Sequence, residues 1–228
     1  MLTTTRDTYE ATMRRARIKQ MAEKLIPRSL YRLIRPYCVS GNRDEHWIRQ
    51  VLNRETEKWI AELGPEKLDV FEVSGDDWQD KLPFKSHKFA FYPEYDVCER
   101  PYEGQYDLVV AEQVFEHLLW PYRAARNVLQ MLRPGGYFLV TTPFLVRVHA
   151  YPNDCTRWTP QGMKHFLAEA GFPIEGIRVD AWGNRKCAVT NFTRWQIYQP
   201  WRHSLVNEPD YPVVVWALAR KQGGESNL

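Results

Sequence analysis

Glycine is scarce where a dinucleotide-binding chain would concentrate it. Only 12 of the 228 residues are glycine, and no Gly-x-Gly-x-x-Gly run follows any apolar segment. That pattern lets a backbone approach a pyrophosphate at a helix N-terminus, so its absence argues against a nicotinamide dehydrogenase. Cysteine is sparse too: Cys38, Cys98, Cys155 and Cys187 stand far apart with no Cys-x-x-Cys pair. This spacing argues against a zinc site, offers no disulfide framework and leaves reduced thiols as the expectation. Long apolar runs are missing. No stretch approaches the ~20 residues that cross a bilayer. The opening Thr3-Thr4-Thr5-Arg6-Asp7 lacks the apolar core of a secretory signal, so no membrane span and a cytoplasmic location are expected.

What is present suits a globular chain with an appendage. A hydrophobic share of 44% with 26% charged residues is enough for a sizeable core. The net charge of +3 is uneven: residues 1 to 37 carry nine Arg and Lys against three Asp and Glu, a balance of +6 that leaves −3 for the remainder. Met13, Ile18, Met21, Leu25 and Ile26 fall close to one helical face in this basic segment. It reads either as a helix with its basic side in water, or as a lid or a surface for an anionic substrate or membrane. A second helix is expected from Glu45 to Leu63, stopped by Gly64-Pro65. Residues 1–64 are therefore expected to form an N-terminal helical extension or lid, and 65–228 the main domain.

The main domain alternates strand and helix. Tyr106-Asp107-Leu108-Val109-Val110-Ala111 is a buried-strand run with Glu112-Gln113 at its carboxyl end. Tyr122 to Met131 has amphipathic helical spacing and breaks at Arg133-Pro134-Gly135-Gly136. Tyr137 to Thr142 is the next strand, ending at Pro143. Phe144, Arg147, His149, Tyr151, Asn153, Asp154, Arg157 and Trp158 then crowd a loop before a helix capped by Thr159-Pro160. Polar groups concentrated beyond strand carboxyl ends suit a pocket. His149 is a candidate general base, with Asp154 orienting it or deprotonating a hydroxyl itself. Asp154 and Arg157 read equally well as an ion pair that pins the loop.

The segments "YDLVVAEQVFEHL", "NVLQMLRPGGYFLVTTP" and "HAYPNDCTRWTPQGMKHFLAEAGF" together resemble class I S-adenosylmethionine-dependent methyltransferases of the small-molecule type. The resemblance covers roughly residues 66 to 220. It implies an α/β, Rossmann-like, doubly wound sheet with the N-terminal helices over its carboxyl edge. It also implies S-adenosyl-L-methionine as cofactor and methyl transfer to a small-molecule oxygen or, second, nitrogen.

On that resemblance, Glu72 takes the acidic position that ends the first strand and accepts from the cofactor's ammonium, with Val73, Ser74 and Gly75 in the loop behind it. Here the chain departs from the family: of its Gly-x-Gly-x-Gly only Gly75 remains, with Ser74 and Asp76 beside it. The segment from Asp76 to Ser86 leaves room for little more than one short helix before a second strand at His87 to Tyr92. Glu94 is the nearest candidate for the ribose hydroxyls, Asp96 for the adenine amino group, and Val97 for the ring face. Glu112, Gln113 and His117 complete the expected cofactor contacts.

Ile177 to Ala181 and Val213 to Ala219 are expected as the sixth and seventh strands. Between them Trp182, Asn184, Arg185, Phe192, Trp195, Tyr198, Trp201 and His203 could wall a pocket, bury a homodimer contact or form a local core. Expected substrate contacts are Trp47, Tyr151, Arg157, Trp158, Trp182 and Asn184. No compact His and carboxylate cluster is visible in the sequence, so no metal is expected. Two readings of other classes stay open. The missing glycines favour a catalytically silent binding protein, and the basic N-terminus a nucleic-acid methyltransferase. The second lacks an Asn-Pro-Pro-Tyr-type motif and interleaved aromatics, so no stable nucleic-acid partner is expected.

Overall fold

A computed structural model describes residues 46–150 and 153–223. The expected basic helix within residues 1–37 lies outside the described residues. The chain divides into two compact units, Met1–Glu45 and His46–Leu228.

The elements of the second unit are α1 (Arg49–Ala61), β1 (Asp69–Val73), β2 (Ser86–Ala90), β3 (Tyr106–Glu112), α2 (Pro121–Met131), β4 (Leu132–Pro143), α3 (Pro160–Ala170), β5 (Ile177–Trp182), α4 (Arg185–Asn191) and β6 (Val214–Arg220). The six strands form one sheet in the order β2-β1-β3-β4-β6-β5. Neighbours from β2 to β4 are parallel, whereas β6 runs antiparallel to both β4 and β5. The two last strands, expected as sixth and seventh, are thus the fifth and sixth, because the described residues between β2 and β3 form turns only. The β1–β2 crossover holds a single 3-10 turn, Trp78–Asp80, in keeping with its short length.

Both faces of the sheet are covered, which explains why β3 and β6 read as unbroken apolar runs. Side chains alternate across the pleat. Phe71, Val109, Phe138, Val140 and Ala217 meet Ala124, Val128, Met163 and Phe166 of α2 and α3 on one face. Val70, Leu108, Val110, Leu139 and Trp216 meet Val51, Leu52, Trp59 and Ile60 of α1 on the other. Burying each such aliphatic side chain contributes about 1.5–3 kcal/mol, so α1 is fixed by its apolar stripe.

α1 is the described part of the expected N-terminal extension or lid, whose residues 1–45 lie outside the described residues. Trp59 packs on Trp216 with ring centroids 6.0 Å apart, and α1 belongs to the same compact unit as the sheet. It packs along a face of the sheet with Arg49 of its first turn reaching Glu112 at the carboxyl end of β3, and the compact unit starts at His46. Gly64 ends this stretch at φ 72°, a left-handed conformation that a side chain would disfavour.

Candidate active site

The carboxyl ends of β1 and β3 lie side by side, and the backbone turns sharply at both. Ser74 has φ 55° and Gln113 has φ 56°, the two non-glycine residues with positive φ among the described residues. Such conformations cost free energy and cluster where function dictates the backbone path. Ser74 therefore adopts the left-handed turn that a loop glycine would normally supply. Gly75 needs its missing side chain for another reason: a Cβ there would lie 2.2 Å from Glu72 Oε1.

Glu72 itself is buried at the end of β1, where it accepts from the Trp78 backbone N–H at 3.0 Å and lies 3.0 Å from His87 Nε2. Burial raises its pKa, opposed by these two partners. On the neighbouring strand Glu112 accepts from the Trp78 indole at 2.7 Å, from Lys81 Nζ at 3.2 Å and from Arg49 Nη1. Burial alone would raise the Glu112 pKa, but the charges of Arg49 and Lys81 and the Trp78 N–H hold it at about 2. Glu112 is thus a structural anion, already saturated with donors, rather than a free cofactor contact. Gln113 turns back onto β4, donating from Nε2 to Thr141 Oγ1 at 3.0 Å.

Of the expected adenosine contacts, Asp96 accepts from the Cys98 N–H at 2.8 Å, Val97 is buried and Glu94 is exposed. Val73 is likewise a core residue.

Beyond β3, Phe115 is fixed between Phe138 and Phe166, with ring centroids 5.4 and 6.0 Å away. This anchors the 3-10 turn Phe115–His117. The loop after β4 is stitched to that turn: Cys155 N–H donates to the Glu116 carbonyl at 2.7 Å, and His117 Nδ1 lies 2.5 Å from the Asn153 carbonyl. The result brings His149 against His117, rings edge to face at 5.1 Å. Both Nε2 atoms point at Glu116 Oε1, from 3.6 Å for His117 and 4.0 Å for His149. Glu116 is fully buried, and neither of its carboxylate oxygens has a hydrogen-bond partner. Burial pushes its pKa up to about 8, while burial lowers the pKa of both histidines. At neutral pH the cluster therefore holds a protonated acid and two neutral imidazoles.

Asp154 sits behind His149. It accepts from the His149 backbone N–H at 2.8 Å and forms a two-pronged pair with Arg157, with Nη2–Oδ2 at 2.6 Å. Burial alone would raise its pKa, but Arg157 and the His149 N–H outweigh that and lower it. Asp154 thus braces and orients, and Arg157 is its partner rather than an open substrate contact.

The expected substrate aromatics are core residues. Trp47 is buried, stacks on His203 at 4.2 Å and donates to the Ser204 carbonyl at 3.0 Å. Trp182 donates to the Leu205 carbonyl at 3.0 Å, and Trp158 packs on Phe166 at 4.9 Å. Asn184 caps α4 by accepting from the Cys187 N–H at 2.9 Å. Tyr151 lies outside the described residues. Sequence reasoning missed Glu116, and with it the compact His and carboxylate grouping that it had excluded; the adjacent Glu116-His117 pair was the available signal. Arg49 and Lys81, the cations that neutralise Glu112, were missed too.

These features define an open mixed α/β sheet with polar side chains gathered at the carboxyl ends of its parallel strands. Residues 45–179, more than half of the chain, match the methyltransferase domain family, and the chain belongs to that family. Among solved structures it resembles an S-adenosylmethionine-dependent methyltransferase from Mesorhizobium loti (15% identity, 72% of this chain and 98% of the other, TM-score 0.47). The [4+2]-cyclase SpnF shows 14% identity over 86% of this chain and 96% of the other, TM-score 0.47. A phosphoethanolamine N-methyltransferase 2 from Haemonchus contortus, in complex with S-adenosyl-L-methionine, shows 12% identity over 74% and 52%, TM-score 0.47. At these identities the likeness concerns the fold alone. No curated protein matches the sequence.

The methyl donor of the family is S-adenosylmethionine, and the backbone turn at Ser74 fits such a group: the serine keeps the left-handed conformation of a cofactor loop, while the space beside Gly75 is taken by the Glu72 carboxylate. Glu72, Ser74, Gly75, Asp96 and Val97 would hold it.

Proposed function

We propose that the chain transfers a methyl group to a hydroxyl of a small molecule bound against Glu116, His117 and His149. The observation that carries this reading is the buried polar cluster beside the end of β3, where two ring nitrogens converge on a carboxyl group with no hydrogen-bond partner. S-adenosylmethionine, when bound, supplies an electrophilic methyl group on a sulfonium.

The residues of the chain do the rest. Asp154 and Arg157 fix the loop, so that His149 Nε2 faces the cluster while its Nδ1 lies 3.4 Å from both the Asp154 carboxylate and Arg157 Nη2. With its proton on Nδ1 toward Asp154, the neutral imidazole accepts the hydroxyl proton at Nε2 as the oxygen attacks, an effect worth about 10²–10⁴-fold. Positioning the oxygen in line with the methyl group accounts for most of the remaining rate. The test is turnover with labelled donor and a panel of phenolic, sugar and carboxylate acceptors. His149→Ala should lower turnover about 10²-fold or more with cofactor affinity intact. Equal turnover per folded molecule would reject the assignment.

A second reading, a catalytically silent binding protein, is favoured by Trp78, whose fully buried indole and its bond to Glu112 sit in the loop where glycines were expected. Cofactor binding without transfer to any acceptor would select it.

A further inference from the structure

The donor set of the cluster suits more than proton transfer. Glu116, His117 and His149 each offer one ligand atom, and these atoms all lie within 4.8 Å of one another. A fully buried carboxyl group, even as the neutral acid, is costly to keep with neither oxygen hydrogen-bonded. His117 directs Nδ1 at the Asn153 carbonyl, which places its proton there and leaves the Nε2 lone pair toward Glu116. His149 Nδ1 lies 3.4 Å from both the Asp154 carboxylate and Arg157 Nη2, and a proton on Nδ1 toward Asp154 leaves its Nε2 lone pair toward Glu116 as well.

We infer that Glu116, His117 and His149 form a binding site for a first-row divalent transition cation such as Zn²⁺ or Co²⁺. Two imidazoles and one carboxylate make the borderline nitrogen and oxygen set that these ions prefer over Mg²⁺. Bonds of about 2.0–2.1 Å place tetrahedral ligands about 3.4 Å apart, and the Glu116 Oε1 to Nε2 separations are 3.6 and 4.0 Å. The two histidine ligand atoms lie within 4.8 Å of each other, so closing the set needs side-chain shifts of up to about 1 Å. Charge agrees: Asp154 offsets Arg157, and Glu112 with Glu57 offsets Arg49 and Lys81, so an ionised Glu116 leaves the site at −1. Three protein ligands leave a coordination position open, where a Lewis acid would lower the pKa of a bound hydroxyl. That catalytic meaning rests on the proposed methyl transfer, with His149 then holding the cation rather than the proton; the binding itself does not.

The experiment titrates the chelator-stripped full chain with Zn²⁺ by calorimetry and with Co²⁺ by visible absorption. One equivalent should bind with a micromolar or lower dissociation constant, unaffected by millimolar Mg²⁺. Glu116→Gln keeps the shape and neutrality of the protonated acid, so the fold should be retained while affinity falls at least tenfold; His117→Ala and His149→Ala should do the same. Cys155 is exposed next to the turn and is the competing ligand, so Cys155→Ser should leave binding unchanged. No binding, equal affinity in the folded Glu116→Gln variant, or loss of binding in Cys155→Ser would overturn the inference. Titration of the metal-free chain with S-adenosylhomocysteine runs alongside. Cofactor binding without metal binding defeats only the cation site, and metal binding without cofactor binding defeats only the methyltransferase reading.

Discussion

Replacing Glu112 by glutamine tests the electrostatic centre of the site. The carboxylate is held by Arg49, by Lys81 Nζ at 3.2 Å and by the Trp78 indole at 2.7 Å. Its pKa stands at about 2 against an ordinary 4.5. At 1.36 kcal/mol per unit, that difference corresponds to about 3 kcal/mol of folding stability at neutral pH. The folded pKa is depressed, so this contribution is complete above pH 4.5 and is lost as the pH falls through about 2. Other groups facing the site are Glu72 with its partner His87, and Glu57, which lies 4.0 Å from Lys81. Glu112→Gln leaves Arg49 and Lys81 without their shared anion, and should lower the melting temperature at pH 7 by about 6–12 °C for a unit of this size. The assay is thermal or urea unfolding of both proteins from pH 7 down to pH 2. The gap should shrink steadily below pH 4.5. A variant as stable as the parent at pH 7, or a gap that persists unchanged at pH 2, would refute the reasoning.

Two other outcomes rest on local geometry. Ser74→Gly should stabilise the protein by about 1 kcal/mol, since a glycine adopts φ 55° without strain, whereas Ser74→Val should destabilise it; thermal melts decide, and a destabilised glycine variant contradicts the account. Asp154→Asn should cost about 2 kcal/mol in denaturant unfolding, less than a fully buried pair because the Arg157 side chain is 21% exposed. An unchanged midpoint would deny Asp154 its bracing role.

The elements that position the site were legible because their signals are local. The apolar run before Glu112 gave β3, and Thr159-Pro160 gave the start of α3, where Thr159 Oγ1 accepts from the Gly162 N–H at 3.0 Å. The side-chain roles were less legible because they depend on distant partners. Trp47 and Trp182 read as pocket residues until their indole N–H groups find the backbone carbonyls of Ser204 and Leu205. Arg49 looks like a solvated helix residue, and only the fold brings it to Glu112. Glu116 acquires its raised pKa from burial beneath a loop whose path the sequence does not dictate. Position 74 shows the converse: a serine stands where the family pattern has a glycine, yet it adopts the positive φ of the turn.

The central claim is that the carboxyl ends of β1 and β3 bind the methyl donor. Calorimetric titration of the full chain with S-adenosylhomocysteine tests it most directly. One molecule should bind per chain, and Glu72→Ala should weaken binding by about 1–3 kcal/mol, a factor of about 5 to 150, as expected for loss of a charge-assisted partner. No heat and no thermal stabilisation at millimolar ligand would contradict the claim.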